Sequence, residues 1–111
     1  MERQIIKYKK YFDKFYEKLE HDEKIEIREG LYLLAYGKEL EKKNLIKRMK
    51  NGDGIYELRL KTEKSIFRVF YFYDGQKIVV LFQGMKKKDK KRQQKELQKA
   101  IKLKKEYLSD K

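Results

Sequence analysis

The chain has 111 residues, of which 44% are charged, 40% hydrophobic and 14% aromatic, and it carries a formal net charge of +13. That length allows one domain over residues 1–111 with one modest core, and the apolar content is too high for a disordered chain. Cysteine is absent and His21 is the single histidine, which excludes disulfides, thiol nucleophiles, cysteine metal sites, Ser-His-Asp triads and His–His acid/base pairs.

No cofactor and no metal are expected from such a composition. No apolar run approaches the roughly 18 residues needed to span a bilayer, and Met1-Glu2-Arg3-Gln4 leads into no signal-like stretch, so a cytoplasmic protein without membrane contact is expected. A small domain this basic attracts polyanions, nucleic acid foremost. A membrane surface, an acidic protein or a merely lysine-rich proteome is compatible with the same charge.

The N-terminal half reads as helical. Ile5, Tyr8, Phe12, Phe15, Tyr16 and Leu19 recur at intervals of three and four and predict an amphipathic helix from Ile5 to Leu19. Asp22 is placed to cap a second helix, with Ile25 as its N3 residue and so an incomplete capping box. Ile27, Leu31, Leu34 and Ala35 line its inner face, Gly30 weakens it, and Gly37 stops it.

The period then changes. Asn51-Gly52-Asp53-Gly54 is a dense turn signal. A strand follows in which Ile55, Glu57, Arg59 and Lys61 alternate with Tyr56, Leu58 and Leu60. Ile66 to Tyr73, rich in aromatic and β-branched residues, is a second strand. Asp74-Gly75 marks a hairpin, and Lys77 to Gln83 is the third strand of an antiparallel meander. Leu97, Ala100, Ile101, Lys104 and Leu108 share a face of a C-terminal helix, with Tyr107 beside it. From Lys86 onward there are 12 basic and 4 acidic residues, so 12 − 4 = +8 of the total charge lies in the last 26 residues, peaking at Lys86-Lys87-Lys88. The predicted fold class is α+β, with N-terminal helices packed on a three- to four-stranded antiparallel sheet and a C-terminal helix.

Glu57 and Arg59 share a strand face, and Arg68 lies on the hairpin partner, so two guanidinium groups converge if Arg68 opposes Arg59. Such a patch holds a phosphate by charge and bidentate hydrogen bonds. RNA can be cut without histidine, because its own 2′-hydroxyl is the nucleophile. The protein then orients the groups, neutralises the phosphorane and manages protons. Crowded positive charge lowers a lysine's pKa, so a lysine of the triplet is a candidate base or acid, and Glu57 is the best-placed carboxylate. The same patterns also fit solvent-facing arginines paired with Glu57 or Glu63, a solvated lysine loop, and Tyr71 and Tyr73 as rim aromatics rather than base-stacking platforms. His21 falls in an inter-helix turn with no role. From residues alone, the reading stops at a basic α+β domain that binds polyanions.

Four segments extend it. Asp53-Gly54-Ile55-Tyr56-Glu57-Leu58-Arg59 resembles a DGLYE(I/L)R motif, and Ile66-Phe67-Arg68-Val69-Phe70 an FR(I/V)F strand. Ile78 to Lys88 resembles LVVLLNGFQKK, and Lys95 to Tyr107 resembles KEIEKALKIKEEY. In this order and spacing they resemble the HigB-type, phage-derived toxin-like proteins of the RelE superfamily. The resemblance implies a compact α+β fold, often with a short strand before Tyr8. It also implies ribosome-dependent mRNA cleavage that inhibits translation, by a metal-independent endoribonuclease toxin of a type II toxin–antitoxin pair. The implied partners are mRNA, the ribosome and a cognate antitoxin with a helix-turn-helix domain, the toxin being monomeric within a hetero-oligomeric complex. Carried over by residue, Arg68 takes the principal catalytic position, with Arg59, Lys87, Lys88 and Glu57 as further catalytic residues. Lys86, Lys90, Lys91, Arg92, Tyr71 and Tyr73 become RNA-binding candidates, and Tyr71 or Tyr107 a candidate general acid. The chain departs from the family at Asp89-Lys90-Lys91-Arg92-Gln93, where no role is assigned to Asp89 or Gln93. The alternative is a non-catalytic basic module that grips RNA or an acidic partner.

Overall fold

A computed structural model describes residues 2–37, 45–86 and 90–111. Eight elements follow in order: β1 (Gln4–Lys7), α1 (Tyr11–Glu17), α2 (His21–Tyr36), β2 (Ile46–Arg48), β3 (Tyr56–Lys61), β4 (Ile66–Asp74), β5 (Ile78–Lys86) and α3 (Lys90–Ser109). The strands make one five-stranded mixed sheet in the order β1-β5-β4-β3-β2. The expected meander is β3-β4-β5, all antiparallel. It is widened on one side by β2, antiparallel to β3, and on the other by β1, parallel to β5.

The expected helix from Ile5 to Leu19 is therefore shorter. Gln4–Lys7 pairs with Ile78–Leu81 as a strand, and Ile5 and Ile6 are divided between the two faces of the sheet. Their spacing also suited a helix, but the backbone turns at Lys9 with φ 55° and only then enters α1. The second helix starts at His21 rather than beyond Asp22. Glu20 is its N-cap and Glu23 its N3 residue, and the Glu23 carboxylate accepts the Glu20 backbone N–H at 2.9 Å. The capping box is thus complete, two residues earlier in the chain than Asp22 suggested.

Each sheet face has its own core. On one, Phe12, Ile27 and Leu34 from the N-terminal helical region pack against Leu58, Leu60, Phe67, Val69, Tyr71 and Leu81. On the other, Leu97, Ala100 and Leu103 of α3 pack against Ile55, Phe70, Phe72, Val80 and Phe82. Leu103 takes the place expected of Leu108, which is 45% exposed. Gly30 has a packing reason. A Cβ there would lie 2.7 Å from the Leu60 δ-carbons, so its absence lets α2 approach β3 closely.

Pairing of β4 with β5 shifts between Val69 and Tyr71. Val69 pairs with Gly84 and Tyr71 with Leu81, so β5 advances three residues while β4 advances two. This bulge directs both Phe82 and Gln83 toward α3, where strict alternation would have sent them apart.

Candidate active site

The antiparallel register of β3 and β4 places Arg59 directly opposite Arg68 and Glu57 opposite Phe70. Alternation then puts Glu57, Arg59, Lys61 and Arg68 on the α3 face of the sheet. Lys47 joins them, because it is the register partner of Glu57 on β2. Sequence reading had no element there and missed this lysine.

Glu57 lies fully buried at the centre. Its Oε1 forms an ion pair with Nε of Arg59 at 2.9 Å and accepts the Nε–H of Arg68 at 3.2 Å. Its Oε2 accepts Nε2 of Gln93, from the first turn of α3, at 2.6 Å. One carboxylate thereby orients two arginines and ties the helix to the sheet. Both of its oxygens are engaged and the carboxylate is unexposed, so Glu57 is placed to hold its partners. The expectation that it handles protons does not suit this geometry.

The two arginines differ. Arg59 has a side chain 42% exposed, so the rest of its fork reaches solvent. Arg68 is 6% exposed, which corrects the expectation that it stands on an open face. The face is the one foreseen, but α3 and the Glu57 carboxylate cover it. Both arginines border an open groove of about 790 Å³, together with Lys47, Lys61, Lys90 and Gln93. Among the described residues Glu26 is the one acid on its rim. The first turn of α3 carries Lys90, Lys91 and Arg92 and no acid, with Lys90 on this groove. Cations at a helix N-terminus oppose the macrodipole. Helix stability therefore does not account for them.

The remaining sequence candidates separate. Tyr71 is fully buried, and Tyr73 is half-buried on the same face, opposite Arg68. Neither is available to stack a base beside the arginines. Burial also pushes the Tyr71 phenol well above its ordinary range. Lys86 ends β5 instead of following it and turns to the α2 face. There its ammonium lies 2.8 Å from the Glu23 carboxylate and over the Phe67 ring. That hydrogen bond holds the Glu23 carboxyl below the usual range and Lys86 above its own. Tyr107 donates to Asp74 at 2.7 Å, at the opposite end of β4 from Arg68, which removes it from the groove. Lys91 and Arg92 are exposed on α3, with Arg92 on a different groove. Lys87 and Lys88 lie outside the described residues.

Fold and site together define a basic α+β domain with a pair of arginines, held by one buried carboxylate, on one face of a mixed sheet. The family model for phage-derived Gp49-like proteins matches residues 14–105, and the chain belongs to that family, which is associated with RelE-type, toxin-like proteins. No curated protein matches it significantly. Among the described residues no helix is long and apolar enough to cross a membrane.

Proposed function

We propose that the protein is an mRNA endoribonuclease acting at the ribosome, the toxin of a type II toxin–antitoxin pair. The observation that carries this reading is the pairing of Arg59 with Arg68 across β3 and β4, both oriented by one buried carboxylate and opening on a lysine-rimmed groove. In this reading a phosphodiester sits against the two guanidinium groups. The 2′-hydroxyl attacks the phosphorus, and the arginines neutralise the charge that develops on the non-bridging oxygens. The 2′-hydroxyl proton passes to solvent. The ammonium of a rim lysine (Lys47, Lys61 or Lys90), or of Lys87 or Lys88, protonates the departing 5′-oxygen. The products are a cyclic 2′,3′-phosphate and a free 5′-hydroxyl, and neither metal nor cofactor takes part. The antitoxin is a helix-turn-helix protein whose acidic surface covers the groove.

Inducible expression in a bacterium, followed by primer-extension mapping of transcripts, tests the proposal. Growth arrest and new 5′ ends within coding regions are expected, and both disappear in Arg59→Ala. One observation favours a second reading. Glu57 is fully engaged, and no histidine borders the groove, so the site is stronger at holding an anion than at moving protons. A protein that binds RNA with steep salt dependence, yet produces no arrest and no new ends, is the non-catalytic binding module.

A further inference from the structure

A second groove lies on the other flank of the first turns of α3. It is about 350 Å³, within the size range of small-ligand sites, and runs between α1, β5 and α3. Lys14 and Lys18 border it on one side, and Arg92 and Lys99 on the other. All four are exposed. Lys99 stands 5.1 Å above the Tyr11 ring, which forms part of the same wall. Among the described lining residues the acid is Glu96, and it is engaged, since its carboxylate accepts Nε2 of Gln83 at 3.1 Å.

Gln83 supplies the second, independent observation. The β5 bulge turns it toward α3, where it is 4% exposed. Its Nε2 also donates to the Glu96 carbonyl at 2.7 Å, which fixes the amide. Its Oε1 is buried with no hydrogen-bond partner. An acceptor left in that state costs about 1–3 kcal/mol unless a donor reaches it. These four cations, with the ion-paired Lys86 also on the lining, beside an unsatisfied acceptor are complementary to a ligand that is anionic and also carries N–H donors, as a nucleotide does.

We infer that this groove is a second subsite for single-stranded RNA, its phosphates held by Lys14, Lys18, Arg92 and Lys99, and one base N–H donating to Oε1 of Gln83. The nature of the ligand rests on the RNA reading above. Arg92 and Gln93 are neighbours on α3, so the two grooves flank one helix whose diameter is about 10–12 Å. The bound strand then passes over the first turns of α3, which accounts for basic residues on both sides of it.

Binding of a labelled 12-nucleotide RNA to the full chain, measured against salt concentration, tests this. Each phosphate contact to a single strand contributes about 0.7 to the slope of log affinity against log salt. Lys14→Gln/Lys99→Gln should therefore lower the slope by about 1.4, while the equally charged Lys77→Gln/Lys105→Gln, at exposed residues that do not line the groove, leaves it unchanged. Gln83→Met should weaken binding of the base-bearing strand by about 3- to 10-fold, and of an abasic strand not at all. Equal slopes for the two lysine pairs, or an unchanged slope for the first, overturn the subsite. If the first pair lowers the slope as stated but the wild type cleaves nothing, the nuclease reading alone falls. Absence of RNA binding by the wild type overturns both.

Discussion

Replacing Glu57 by leucine removes the group around which the site is organised. Arg68 Nε and Gln93 Nε2 lose their acceptor, and Arg59 loses its ion-pair partner. Their costs are unequal. The Arg59 side chain is 42% exposed and turns to water, so its share is at most about 1 kcal/mol. Gln93 is half-buried on the groove rim and is resolvated in the same way. Arg68 is enclosed, and losing the carboxylate partner of a buried cation costs about 3–5 kcal/mol. Arg68 has further interactions, so the lower end of that range applies. For a domain of this size about 3 kcal/mol corresponds to a fall in Tm of roughly 12 °C. Replacing the charge pair by apolar groups removes both desolvation penalties, so Glu57→Leu/Arg68→Met should recover most of the lost stability. Thermal unfolding followed by far-UV circular dichroism measures both variants. The reasoning fails if Glu57→Leu melts within about 3 °C of wild type, or if the double variant melts below Glu57→Leu.

Arg59→Ala should separate function from folding: stability falls by at most about 1 kcal/mol, whereas cleavage falls by about 100- to 1,000-fold if Arg59 stabilises the phosphorane, as melting and single-turnover assays of one preparation would read out. Arg68→Ala, in contrast, should lower Tm as well as activity, and a normal melt would show that its burial carries no energetic weight. The Glu23–Lys86 contact predicts a pH effect of known sign. The Glu23 carboxyl is depressed chiefly by the Lys86 hydrogen bond, so its contribution to stability is present above the ordinary carboxylate pKa and lost as pH falls through the depressed folded value. Glu23→Gln should therefore flatten the acid limb of a Tm–pH profile, and an unchanged limb would discount the contact. Gly30→Ala, which in an open helix adds up to about 1 kcal/mol, should instead cost about 1–3 kcal/mol because the new methyl meets Leu60, and Leu60→Val in the same chain should relieve part of it in chemical denaturation.

Local chemistry determined much of this protein. The alternation and turn residues of the chain between Asn51 and Gln83 specified the three-stranded meander, because strand period and hairpin signals act over a few residues. The same alternation placed Glu57 and Arg59 on one face, and the hairpin brought Arg68 opposite. Absence of cysteine and a single histidine narrowed the chemistry before any fold was considered. Other features depend on contacts distant in sequence. Ile5 and Ile6 suit a helix or a strand, and the open edge of β5 decided for the strand. Lys47 and Gln93 carry no local signal, since each reaches Glu57 only through pairing or packing with a remote element. Tyr71 resembles a surface aromatic until helices cover its side of the sheet. Whether Arg68 stands in water or under α3, and on which face Gln83 emerges after the bulge, is likewise invisible to a period of two. Periodicity reports which side a residue takes. Burial and partners depend on what packs against that side, and only the tertiary structure determines that.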